Sequence, residues 1–172
     1  MEQKKPTTHF IAALVIAAIV IVYSLTLQFT GLWKNASLAW VTYLFILGGL
    51  IFFINQYGNA MNNQVTFGNL FSYGFKTTAL LTLIMIAFTV IMFLLFPDIK
   101  EKMVDIARQR MEDRNTPEDQ IEKGIELWKK MFWVFTIGGI LLVYAIVGAI
   151  GSLIGAAVTK KKPVNPLDQM SM

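Results

Sequence analysis

The chain has 172 residues, 55% of them apolar and 15% charged, whereas a soluble domain of this size runs at about 45–50% apolar and about 25% charged. It contains no cysteine, which excludes disulfides, thiolate metal ligands and thiol nucleophiles. The formal charge of +4 comes from lysines flanking apolar stretches rather than from a basic patch for nucleic acid.

Four apolar stretches dominate the sequence: 10–32, 38–57, 75–96 and 131–158. Each is long enough to cross the hydrocarbon core, which takes about 20 helical residues. The pattern predicts an all-α integral membrane protein of one domain over 1–172, its four spans arranged as two hairpins with the lipid bilayer as solvent. The first stretch follows a short basic start, Lys4-Lys5, but runs well past the roughly 7–15 apolar residues of a secretory signal. It is therefore expected to be a retained span.

Orientation follows lysine and arginine placement. Lys4 and Lys5 outweigh Lys34 across the first span, which puts both termini in the cytoplasm, with Lys160, Lys161 and Lys162 on the same side. The segment 98–130 works against this assignment, because its eight lysines and arginines, interleaved with nine acids, would then lie outside.

The second span contains Phe45-Ile46-Leu47-Gly48-Gly49-Leu50, and the fourth contains Phe135-Thr136-Ile137-Gly138-Gly139-Ile140. The match is compatible with duplicated hairpins, but chance similarity in a small apolar alphabet is the stronger reading. Between the second and third spans, the segment from Asn55 to Lys76 is rich in amides. Thr66 is placed to cap a short helix with Phe67, Leu70, Phe71 and Phe75 on its apolar edge. Lys76 is expected at a helix edge, snorkelling to the headgroups.

After Pro97 the chain becomes charged, yet apolar residues recur at helical spacing as Ile99, Met103, Ile106 and as Val104, Ala107, Met111. Thr116 as N-cap, Pro117 at the first helical position and acids behind it predict a helix start. Ile121, Ile125, Trp128 and Phe132 continue the stripe, so the fourth helix is expected to begin near Pro117, outside the bilayer. The segment 98–130 thus reads as an extramembrane helical hairpin. Met103, Ile106 and Trp128 are its candidate partner face.

Within the fourth span, Gly151 and Gly155 form one small-xxx-small pair, and Gly148 and Ser152 another. In lipid, helices associate by close van der Waals approach, which small residues permit. These four residues are the expected packing face, and Gly151→Leu is the expected worst substitution there.

Chemistry is sparse. His9 is the single histidine, and no catalytic, cofactor-binding or metal-binding set is expected. The spans carry no Asp, Glu or Arg, and ion or proton pathways normally need such groups. Ser24, Thr26, Thr82 and Thr89 are read as bonding back to their own helices.

The run Val65-Thr66-Phe67-Gly68-Asn69-Leu70-Phe71-Ser72-Tyr73-Gly74-Phe75, together with Ile154-Gly155-Ala156-Ala157-Val158-Thr159-Lys160-Lys161, resembles a bacterial inner-membrane family, domain of unknown function 4199. The resemblance implies four spans, a charged loop before the last and an inner-membrane location, and it carries no active-site residue. The function expected is non-enzymatic: a structural or accessory subunit binding another membrane or periplasmic protein, or itself. The alternative is a small oligomeric transporter or channel for a neutral or anionic solute.

Overall fold

The computed structural model describes residues 6–32 and 35–162. Lys4, Lys5 and Lys34, on which the orientation argument rests, lie outside these residues. The described chain forms six helices and no strand: α1 (His9–Phe29), α2 (Ala36–Ala60), α3 (Phe67–Leu95), α4 (Asp98–Glu112), α5 (Glu118–Lys130) and α6 (Phe132–Val158). Helices α1, α2, α3 and α6 are long and apolar enough to cross a membrane. At most 28% of the most apolar window of any of them is buried, so the remaining apolar surface demands an apolar surrounding.

The helix ends follow local chemistry. Thr8 caps α1 by accepting from the Ile11 amide at 3.3 Å, and Asn35 caps α2 by accepting from Ser37 at 3.0 Å. Helix α1 closes through Gly31 at φ +72°. Helix α2 closes through Asn62 and Asn63, at φ 55° and 62°. There the Asn63 amide donates to Gly58 O at 2.8 Å and the Asn62 amide to Asn59 O at 3.0 Å, the paired closure of a Schellman motif. The amide-rich segment thus supplies left-handed residues without glycine.

Thr66 does cap a helix, accepting from Asn69 at 3.2 Å. That helix is α3 itself and not a separate interfacial turn, so α3 starts eight residues before the apolar stretch predicted from Phe75. The fourth predicted helix differs in the opposite sense. It is divided at Met131, at φ −107° and ψ 20°, into α5 and α6 instead of running unbroken from Pro117.

Two compact units result: residues 1–85 with 143–172, and residues 86–142. In the first unit α1 presents a narrow face of Ala12, Ala13, Ile16, Ala17 and Val20, all buried. Gly49 of α2 meets it so closely that a methyl group there would lie 2.7 Å from Ile16 Cγ1. The Tyr23 hydroxyl donates to Leu38 O at 2.9 Å.

The C-terminal half of α6 packs on α2 and α3 through its small residues. A methyl at Gly151 would sit 2.9 Å from Leu50 Cδ1, and one at Gly155 2.6 Å from Ile54 Cδ1. One at Gly148 would overlap the Thr78 side chain. Gly74 of α3 completes the contact between Ile54 and Ser152. Ser152 is fully buried, and its hydroxyl has no hydrogen-bond partner.

Gly48, Gly138 and Gly139 have no neighbour within 4 Å of such a methyl, whereas Gly49 is packed. The two glycine pairs of the sequence match therefore occupy unlike surroundings.

The first and last described residues of the first unit, near Thr7 and Lys162, meet at one end of the bundle. Thr7 Oγ1 donates to Gln56 Oε1 at 2.9 Å, the Tyr73 hydroxyl donates to Thr7 O at 2.9 Å, and the Lys162 amide donates to Asn63 O at 2.8 Å. The start of α1, the end of α2, the start of α3 and the end of α6 are held together there. Lys161 Nζ donates to Ala156 O at 2.6 Å and Thr159 O at 3.1 Å, placing a cation on the negative end of α6.

The packing reorders the expected cost of substitutions. At Gly151 the obstacle is the tip of a flexible leucine. At Gly148 it is a β-branched threonine whose hydroxyl is fixed to Gly74 O at 3.0 Å. Overpacking costs about 1–3 kcal/mol, and more where the neighbour cannot move. Gly148→Leu is expected to lower the thermal midpoint in detergent more than Gly151→Leu, with Gly139→Leu close to the parent. A melt in which Gly151→Leu is the more damaging would contradict this ranking.

Candidate functional site in the charged helix pair

The second unit contains α4 and α5, whose sequences are charged except along one face. Asp98 and Glu101 lie in the first turn of α4 with Arg110 in its last turn. Glu118 and Asp119 open α5, and Lys129 and Lys130 close it. Each helix thus complements its own macrodipole.

The turn between them is compact. Asn115 adopts φ +55°, its amide donates to Glu112 O at 2.8 Å, and the Thr116 amide donates to Met111 O at 3.0 Å. This is again a Schellman closure. It displaces the predicted helix start by one residue. Thr116 is used to end α4, and Pro117, at ψ 140°, takes the N-cap position with its carbonyl accepting from Gln120 and Ile121.

One ion pair bridges the turn: Arg108 Nη1 lies 2.7 Å from Glu118 Oε1 and 4.0 Å from Glu112 Oε1. The hydrogen bond to Glu118 raises the guanidinium pKa above its ordinary value. The pair is largely solvent-exposed, so water and salt screen it strongly. Apolar burial is the stronger tie. Ile121 and Ile125 are buried on α5, and Phe132 at the start of α6 is 2% exposed.

Phe132 is the centre of an aromatic cluster. Phe93 and Trp128 each meet it edge-to-face at 4.8 Å, and Trp133 does so at 5.2 Å. The Lys100 ammonium lies 4.7 Å from its ring centroid, within cation–π range. The predicted stripe included Phe132 and Trp128, but nothing in the local spacing pointed to Phe93, which arrives from α3.

Between α4 and α5 runs an apolar groove of about 240 Å³, lined by Val104, Ala107, Met111, Ile125, Trp128 and Phe135 among others. Of the predicted partner face, only Trp128 lines it. Met103 is exposed and Ile106 half-buried, and neither contributes to the groove. The stripe that does so is Val104, Ala107 and Met111, the other of the two helical periods in α4. In the first unit, Gly148, Gly151, Ser152 and Gly155 are brought together, against α2 and α3 of the same chain.

Four helices long and apolar enough to cross a bilayer, one of them joined to the next by a charged helix pair, are compatible with a multi-pass helical membrane protein. The chain belongs to the family described as protein of unknown function (DUF4199), whose profile matches residues 9–161, from the first residue of α1 to just beyond α6. No curated protein and no solved structure matches the chain.

The balance of forces in the pair is measurable by amide hydrogen exchange of the full chain in nanodiscs. Ile121→Ala removes a buried side chain, at a cost of about 2–5 kcal/mol, and is expected to deprotect the amides of α4 and α5. Arg108→Ala is expected to leave them unchanged. Equal loss of protection in the two variants would show that the ion pair holds the helices together.

Proposed function

We propose that this protein is a non-enzymatic accessory subunit of the bacterial inner membrane, whose α4–α5 groove receives an amphipathic helix of another envelope protein at the membrane surface. Its four spans would form two hairpins with both termini in the cytoplasm, leaving the charged pair outside. The observation that carries this reading is the open apolar groove on an otherwise charged helix pair.

Grooves of this kind accept a helix through anchors spaced at i, i+3, i+4 and i+7. Phe135, which lines the groove, belongs to the apolar span α6. An occupant filling the groove along its length therefore has to lie where a span enters the bilayer, which suits the juxtamembrane helix of a membrane partner.

The interior of the first unit supports a structural role over a solute path. The buried hydroxyls of Thr77, Thr78, Thr82 and Thr159 donate to Tyr73 O, Gly74 O, Thr78 O and Gly155 O, each four residues back on the chain. Spent on their own backbone, they offer little to a passing solute.

A photo-crosslinking residue at Met111, in cells, is expected to give one discrete protein adduct. That adduct should be lost on Val104→Asp, which puts a charge into the groove, and retained on Glu101→Gln outside it. Adducts only to lipid, or an adduct insensitive to Val104→Asp, would refute the reading. Orientation is tested separately by introducing Arg114→Cys into this cysteine-free chain: labelling is expected from the periplasmic side, and labelling from the cytoplasmic side alone reverses the topology.

A further inference from the structure

At the end of the first unit where the helix termini meet, the start of α1 and the first turns of α3 enclose a recess of about 340 Å³. Its polar lining comes from Thr8, His9, Tyr57, Asn69, Ser72 and Lys76. Tyr73 closes one wall, stacked on Tyr57 at 4.4 Å and tied through its hydroxyl to Thr7 O. The volume falls within the range of small-molecule sites, about 300–1,000 Å³.

Lys76 stands out on charge. Because α3 begins at Phe67, Lys76 lies nine residues into the helix, about 14 Å along its axis at about 1.5 Å per residue. It has no hydrogen-bond or ion-pair partner among the described residues. No Asp or Glu occurs among the described residues of this unit, which carry Lys76, Lys160, Lys161 and Lys162. Of these, Lys161 is occupied by the carbonyls ending α6. Its side chain is exposed at the recess, and the described part of this unit offers it no acidic counter-charge.

The surroundings indicate what that counter-charge is. Ser72, Tyr57 and Thr8 bring hydroxyls, Asn69 an amide and His9 a ring N–H beside the Lys76 ammonium. Such a set fits a tetrahedral oxyanion carrying a single charge. The recess opens at the level where α1 begins, since Thr7 is bonded to Tyr73, one helical turn from Lys76. There apolar span gives way to polar chain, the depth at which a bilayer presents its phosphates.

We infer that this recess binds the phosphate of an anionic phospholipid, with Lys76 as the charge partner and Ser72 and Asn69 as supporting donors. This inference is independent of the groove in the second unit.

The full chain in mild detergent is offered phosphatidylglycerol and phosphatidylcholine of identical acyl chains, and retained lipid is counted by native mass spectrometry. Phosphatidylglycerol is expected to be retained about tenfold over phosphatidylcholine, and Lys76→Gln to abolish that preference, as suits loss of one charged hydrogen bond. Lys76→Arg should keep the preference and Ser72→Ala reduce it, so the result does not depend on one variant folding. The double variant Lys160→Gln, Lys162→Gln should keep it as well.

Three results would overturn the assignment. These are diacylglycerol retained as strongly as phosphatidylglycerol, the double variant losing as much as Lys76→Gln, and displacement of the lipid by an equal concentration of inorganic phosphate, which would mark the ligand as the free anion.

Discussion

The first unit depends on how closely the backbone of α6 approaches α2 and α3. Lipid tails are as apolar as leucine, so helices in a bilayer gain little from hiding apolar surface against one another and must be held by dense contact. At Gly148, Gly151 and Gly155 the side chain is absent where Thr78, Leu50 and Ile54 press in. Gly74 does the same from the α3 side. Ile46, Leu50, Ile54, Leu70 and Leu81 of these helices are fully buried, while many of their other leucines, isoleucines and phenylalanines face outward, where an apolar surrounding suits them.

A second constraint follows from the same solvent. A polar group in hydrocarbon has no water to turn to, so it must be satisfied nearby. The threonines buried in the first unit bond to the carbonyl four residues back, and the helix ends are closed by Thr8, Asn35, Thr66 and the left-handed asparagines. Lys161 returns to the last carbonyls of α6. Much of the polar chemistry of the unit is thus local, while the buried Ser152 hydroxyl has no hydrogen-bond partner and Lys76 has none among the described residues.

The spans were legible because composition alone specifies them, and so was the small-residue face, because a glycine every three or four residues in an apolar helix has few other uses. What the face packs against was not legible, since spacing fixes a face and not its partner. Span edges were misjudged where helix and apolar stretch part company. Helix α3 extends back to Phe67 because Thr66 caps it there, which moves Lys76 from an apparent edge to the third turn. Thr116 looked like an N-cap, but its amide is spent closing α4, which hands the cap to Pro117. In α4 both apolar stripes were visible, and the structure uses Val104, Ala107 and Met111 for the groove because those positions face Ile125 and Trp128.

The seating of α6 also bears on how the protein is made. Sixty residues separate Leu95 from Gly155, several seconds of synthesis at about 5–20 residues per second. During that interval α1, α2 and α3 are complete, and the face that α6 will cover is open to lipid. That face carries Thr78, which lies against Gly148 and whose hydroxyl is bound to Gly74 O of its own helix and needs no incoming partner. The nascent three-helix intermediate can therefore wait in the bilayer without exposing an unsatisfied hydroxyl at Thr78, and the last helix to emerge locks that face shut.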